Sequence, residues 1–134
     1  MIGLDTNVLI RLGDDLAPSQ RDRARALVKS HGAGACFVNP IVIAEFAWTL
    51  TRVYKLPRGD VAARLDLVLE SPEFVVASSD EAMRAVHRYR KGPADFADSF
   101  LAEINRSAGC AATATFDRDA LKSGEPFTSV PMHA

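Results

Sequence analysis

Apolar residues recur along the chain in two alternating patterns, short continuous runs and longer stretches with helical spacing. The short runs lie between turn-forming residues, which is typical of strands buried in a sheet. The longer stretches repeat an apolar residue every three or four positions, which indicates amphipathic helices. Because strands and helices alternate, we predict an α/β fold with one central parallel sheet of four to five strands, right-handed crossovers and helices on both faces. The predicted strands span residues 2–4, 35–38, 74–77, 110–115 and 127–130.

The composition is that of an ordinary globular protein. With 134 residues the chain has the length of one domain, so we expect a single domain over residues 1–134. Hydrophobic residues make up 48% and charged residues 25%. The net charge of −1 indicates no nucleic-acid or membrane partner for the chain as a whole, although a local basic patch would suffice for RNA. One candidate is the basic helix end at residues 87–91, where the helix dipole also favours cations.

The sequence contains neither a recognisable signal peptide nor a membrane span. The N-terminus enters an apolar strand without a basic region, and no apolar run approaches the ~20 residues that a span requires. Cys36 and Cys110 both lie in apolar runs, so we expect buried thiols rather than a disulfide or a metal site. These features predict a cytoplasmic protein without a membrane partner.

Acidic residues occur where predicted strands end or where the following helices begin. Asp5 follows the first strand, Asp117 follows the fourth, and Asp98 lies in the first turn of a helix. Glu45 lies inside a helix, residues 40–54, that is apolar almost all round. The carboxyl ends of parallel strands share one edge of a sheet, so these four carboxylates can converge in one crevice. The structural alternatives are a helix cap for Asp5 and an ion pair with a distant arginine for Glu45.

A cluster of four carboxylates is suited to binding a divalent cation. The charges repel one another and raise each other's pKa, so the cluster requires cations. Oxygen ligands without a supporting histidine or cysteine favour Mg²⁺ or Mn²⁺ over zinc. Such an ion suits phosphoryl chemistry, because it neutralises a phosphate, activates a water and stabilises the leaving oxygen. The chain has no GxxxxGK[ST] or GxGxxG loop, which argues against nucleoside triphosphate and dinucleotide binding.

Four motifs resemble those of PIN-domain nucleases and, more narrowly, of the VapC-like toxins of bacterial toxin–antitoxin pairs. LDTNVLI at residues 4–10 resembles the N-terminal signature, and IAE at 43–45 resembles the helix with the second acid. DFADSFLA at 95–102 resembles the third motif, with Ser99 where the family often has alanine, and TATFD at 113–117 resembles the fourth. The likeness extends from residue 1 to about residue 130.

This resemblance implies a PIN-like fold and a metal-dependent endoribonuclease that cleaves RNA and inhibits translation. Asp5, Glu45 and Asp98 would be catalytic and hold Mg²⁺, for which Mn²⁺ can substitute, while Asp117 would support the site or a second ion. Neighbouring polar residues would orient these carboxylates or order the site, and Asp119 competes with Asp117 as the fourth acid. These neighbours are Thr6, Asn7, Asp95 (well placed as a helix N-cap), Thr115 and Asp119.

The resemblance also implies a homodimer and a small antitoxin that blocks the acidic crevice, often with a basic side chain. Phe46 and Trp48 could offer part of an apolar surface, with core packing as the favoured alternative for both. Two other functions compete with the nuclease. One is a Mg²⁺-dependent phosphohydrolase of small phosphate esters, although residues 5–7 lack the second Asp of a DxD motif. The other is a non-catalytic module whose acidic pocket binds a basic partner.

Overall fold

The computed structural model describes residues 1–132, in which helices and short parallel strands alternate. The strands are β1 (Ile2–Gly3), β2 (Cys36–Val38), β3 (Phe74–Val76), β4 (Thr113–Thr115) and β5 (Phe127–Ser129). The helices are α1 (Thr6–Arg11), α2 (Pro18–His31), α3 (Pro40–Arg52), α4 (Arg58–Glu70), α5 (Ser79–Lys91), α6 (Phe96–Ser107) and α7 (Arg118–Lys122). Every predicted strand is present, and the predicted α/β class with parallel strands is confirmed.

Capping side chains fix the points at which four of the helices begin. Asp5, Asn39, Asp95 and Asp117 precede α1, α3, α6 and α7, and each accepts a hydrogen bond from the backbone N–H three residues further on. Such a cap satisfies one of the backbone donors that a helix start leaves unpaired, typically worth about 1 kcal/mol. Three of these four caps are carboxylates, and two of them, Asp5 and Asp117, follow a strand end, so residues that start helices are also predicted site residues.

The strands form two sheets, and the prediction of one central sheet of four to five strands was wrong. One sheet has the order β1-β2-β3, and the other pairs β4 with β5. The fourth strand is shorter than predicted because Cys110 to Ala112 are exposed, and its pairing begins where Thr113 donates to Pro126 O at 2.8 Å. An apolar run locates a strand, but it does not specify which neighbour completes its hydrogen bonds.

Buried apolar side chains form a large core and a separate small one. The large core packs the three-stranded sheet with α1 to α6 and includes Cys36, Ile43 and Phe96. The small core lies around α7 and β5, and its buried members are Ala94, Ala102, Ala120 and Phe127. Helix α6 takes part in both cores, because Phe96 belongs to the first and Ala102 to the second. The fold therefore holds α7 and β5 through a small contact with α6.

Two expectations about burial were wrong. Cys110 is exposed in the turn after α6, whereas Cys36 is buried as predicted. On α3, Phe46 is buried but Trp48 is 58% exposed, so core packing holds for only the first of these aromatic residues. Helix α3 is apolar almost all round, yet only one of its faces meets the core. None of the helices in residues 1–132 is both long and apolar enough to cross a membrane.

Candidate functional site

Four carboxylates line one cavity of about 320 Å³ between the starts of α6 and α7. Asp95 and Asp98 come from the cap and first turn of α6, and Asp117 and Asp119 come from the cap and first turn of α7. Both helices begin here because aspartate is a favoured cap and because negative charge is stabilised at a helix N-terminus. The structure thus brings together the predicted residues of the third and fourth motifs.

Asp98 is the carboxylate most affected by this environment. Burial raises its pKa to about 6, and the charges of Asp95 and Asp117, together with a hydrogen bond to Asp95, raise it in the same direction. Desolvation and like charges both favour the neutral carboxylic acid over the carboxylate. A bound cation would act in the opposite direction and keep Asp98 ionised.

The capping geometry holds Asp95 and Asp117 in fixed orientations. Asp95 Oδ1 accepts from the backbone N–H of Asp98 at 2.8 Å. Asp117 Oδ1 accepts from the N–H of Ala120 at 2.8 Å, and the N–H of Asp117 itself donates to Thr115 Oγ1 at 3.0 Å. Each cap occupies one carboxylate oxygen and leaves the other available to a ligand.

The predicted residues of the first two motifs lie outside the lining of this cavity. Asp5 and Glu45 are exposed, and Thr6 Oγ1 donates to Glu45 Oε1 at 3.3 Å. Asp5 caps α1, and Asn7 lines a separate depression that Arg11 also lines. Within the described residues Glu45 forms no ion pair, so its alternative role as the partner of an arginine is not realised there.

In residues 1–132, no three histidine, cysteine, aspartate or glutamate side chains are placed to hold one metal ion. The predicted site residues lie in two separate places. Asp95, Asp98, Asp117 and Asp119 share the cavity, while the Thr6–Glu45 pair and Asp5 lie apart from its lining.

A second group of cavity residues was missed by the sequence analysis. Helix α3 contributes Trp48, Thr51 and Arg52, and residues Arg58 and Tyr89 complete the group. A signal for part of it exists, because Trp48 lies between Glu45 and Arg52 at helical spacing, on the polar stripe rather than on the buried one. The cavity therefore combines carboxylates with an indole and guanidinium groups.

Arg58 binds the chain segment that leads into α6. Its guanidinium donates to the carbonyl oxygens of Tyr89 and Ala94, at 2.9 and 2.8 Å, and to that of Pro93 at 3.2 Å. It also lies over the Tyr89 ring, 4.4 Å from the centroid, in a cation–π contact. Arg58 thereby ties α4 and the end of α5 to the segment just before Asp95.

The basic end of α5, considered above as an RNA contact, is partly engaged within the protein. Arg90 forms an ion pair with Asp66 at 2.7 Å, and Arg88 donates to Ser123 O at 3.4 Å. His87 is exposed. Arg88 and Arg90 therefore both have partners within the protein.

Comparisons with known proteins identify the family of the chain. Residues 2–125 match the family model described as the PIN domain. A solved structure, that of Mycobacterium tuberculosis VapC20, described as a sarcin-ricin loop cleaving toxin, is 20% identical to this chain, with a TM-score of 0.44. That alignment covers 92% of this chain and 95% of the other. No curated protein is a significant match.

Proposed function

The chain belongs to the PIN domain family, and from this premise we propose that it is a metal-dependent endoribonuclease, the toxin of a toxin–antitoxin pair that inhibits translation. The observation that carries the proposal is the cavity at the starts of α6 and α7, which is lined by four carboxylates, three of them from the motifs that resemble the third and fourth motifs of the family. We further propose that residues 1–134 form one PIN-like domain.

The donor set suits a divalent cation by its chemistry. Burial is the main reason that the pKa of Asp98 is raised, and the charges of Asp95 and Asp117 raise it further; a positive ligand would relieve both effects. Carboxylate oxygens are the ligands that Mg²⁺ and Mn²⁺ prefer. No three such side chains in residues 1–132 are placed to hold one ion directly, so water molecules would link the ion to some of the carboxylates, as is usual for Mg²⁺.

In this proposal Asp5, Glu45 and Asp98 hold the ion and Asp117 supports it or a second one. When bound, Mg²⁺ or Mn²⁺ would neutralise the phosphodiester and lower the pKa of a water. Thr6 directs one oxygen of Glu45 through its hydroxyl, and Thr115 fixes the backbone of Asp117.

The remaining polar neighbours have lesser roles. Asp95 fixes the first turn of α6 and raises the pKa of Asp98. Asp119 shares the cavity and remains the alternative fourth acid, and Asn7 would help to order the site.

The proposed partners follow from the family rather than from a contact seen in the structure. They are an RNA substrate, a small antitoxin protein that blocks the acidic cavity, and a second copy of this chain in a homodimer. An antitoxin that covers carboxylates would present a basic side chain, since a cation is what these residues lack.

The test is cleavage of structured and unstructured RNA by the purified protein with Mg²⁺, with Mn²⁺ and with EDTA. Asp98→Asn removes the charge while keeping size and shape. Asp60→Asn is the matched control, because Asp60 is the third residue of α4 as Asp98 is the third residue of α6, and Asp60 is not in the cavity. We expect internal cuts that require metal, persist in Asp60→Asn and disappear in Asp98→Asn.

Other results would identify the alternatives. Turnover of a small phosphate ester without RNA cleavage would indicate a phosphohydrolase. Tight binding of a basic protein without any turnover would indicate a binding module. Cuts of equal rate in Asp98→Asn would show that this acidic site is not the reactive one.

A further inference from the structure

Trp48 is the only tryptophan of the chain, and the fold leaves it 58% exposed at the acidic cavity. Neighbouring α3 residues such as Phe46 and Ala47 are buried. An indole is the largest apolar side chain, and its exposure leaves apolar area in contact with water, whereas other apolar side chains of α3 are buried. Scattered exposed apolar residues are common, so exposure alone has little meaning. The informative observation is its position beside Asp98 and Asp117.

Arg52 lies one helical turn after Trp48 and lines the same cavity. Residues four apart are neighbours on a helix surface, so the guanidinium and the indole face the same space. In the described part of the chain no ion pair engages Arg52, whereas Arg58 nearby is occupied by three carbonyl oxygens. The cavity lining thus includes one flat aromatic surface and one cation that forms no ion pair in residues 1–132.

We propose that Trp48 stacks against one unpaired RNA base, and that Arg52 contacts a phosphate of the same strand. This inference rests on the proposed nuclease function and deepens it by assigning Trp48 and Arg52 to the binding of the substrate. A nucleotide presents a π-face and an anionic phosphate, which match an indole and a guanidinium. In a duplex the base faces are stacked on each other, so only an unpaired or extruded base can use Trp48.

The alternative occupant is a basic protein segment, which the four carboxylates would attract. Arg52 favours the nucleotide at Trp48 itself, because a guanidinium attracts a phosphate and one turn of α3 separates it from the indole. A volume of about 320 Å³ falls at the lower end of small-ligand sites, ~300–1,000 Å³, which suits one nucleotide.

The single tryptophan permits a direct test by its own fluorescence. The full-length protein is titrated in EDTA, which keeps the RNA intact, with a short unpaired RNA. The comparisons are an abasic ribose-phosphate oligomer of equal length and the same RNA in a duplex. We expect quenching of Trp48 emission by the unpaired RNA and little by the other two. Equal quenching by the abasic oligomer would overturn the proposal.

Variants measure how much each side chain contributes to binding. Stacking of one base on an aromatic residue suggests that Trp48→Ala weakens the Kd for labelled RNA about 5- to 100-fold, with most of the binding retained in Trp48→Phe. Arg52→Gln should weaken binding and reduce the slope of log Kd against log salt by about 1. Leu67→Ala is the control, because Leu67 is 66% exposed on α4 and outside the cavity.

The inference and the proposed function can fail separately. RNA cleavage that depends on Asp98 but is equal in Trp48→Ala and Leu67→Ala would refute stacking and leave the nuclease intact. Base-dependent quenching without cleavage under any metal would support stacking and refute the nuclease. If Trp48→Ala weakens capture of a basic protein but not of RNA, the surface serves a protein partner and the proposal is wrong.

Discussion

Removing the charge of Asp98 should stabilise the metal-free protein at neutral pH. The folded protein raises the pKa of this carboxyl from its ordinary value of 3.8 to about 6. Between these values the folded state binds a proton that the unfolded state has already lost, so stability falls as the pH rises. Above about pH 6 the ionised Asp98 lowers the free energy of unfolding by a constant amount, and Asp98→Asn removes this cost.

The size of the gain follows from the pKa difference. Two pKa units correspond to roughly 3 kcal/mol, at about 1.4 kcal/mol per unit. Asp98 is only partly buried, so solvent screens its charge and about 1–2 kcal/mol is a more realistic penalty. The variant also loses a favourable charge at a helix N-terminus, about 0.3–1 kcal/mol. A net gain of about 1 kcal/mol in the free energy of unfolding remains.

Urea unfolding in EDTA at about pH 7.5 and about pH 4.5 measures this difference. Asp60→Asn is again the control, because it removes the same charge from the same turn of α4 and should lose stability. The gain of Asp98→Asn should shrink at the lower pH, where the folded wild type carries a neutral Asp98. A variant less stable than wild type at pH 7.5, or a gain independent of pH, would refute the reasoning.

Three further outcomes are expected. Arg58→Met should lower the free energy of unfolding by about 2–4 kcal/mol in urea titrations, because three carbonyl bonds and a cation–π contact are lost. Arg84→Met should cost about 2 kcal/mol, since it leaves the buried Glu103 carboxylate without the cation 3.0 Å away, and adding Glu103→Gln should restore most of this in a double-mutant cycle. In mass spectra of the alkylated native protein, iodoacetamide should modify Cys110 readily and Cys36 only after unfolding.

The elements could be predicted from the sequence because their signals are local. Short apolar runs locate the five strands, and Asp5 and Asp95 are recognisable as helix caps from the sequence. The sequence does not decide between Asp117 and Asp119 at the start of α7, where the structure uses Asp117 as the cap. Either residue can cap a helix, and only the position of the β4 end decides between them.

The features that could not be predicted depend on contacts between distant segments. The split into two sheets depends on the pairing of β4 with β5, which periodicity does not encode. The exposure of Trp48 depends on which face of an all-apolar helix meets the core. All three hydrogen bonds of Arg58 go to backbone carbonyls, which every residue has, so the sequence does not reveal these partners.

The two pairs of carboxylates in the acidic cavity stand on helices that are anchored by different cores. Asp95 and Asp98 stand on α6, which the large core anchors, whereas Asp117 and Asp119 stand on α7, which the small core of three alanines and Phe127 anchors. A unit with so little buried apolar area opens at a lower free energy than the whole domain does. Local unfolding of α7 with β4 and β5 would thus separate Asp117 and Asp119 from Asp95 and Asp98 while the three-stranded sheet stays folded. The cavity is therefore lost at a lower free energy than the fold of the domain.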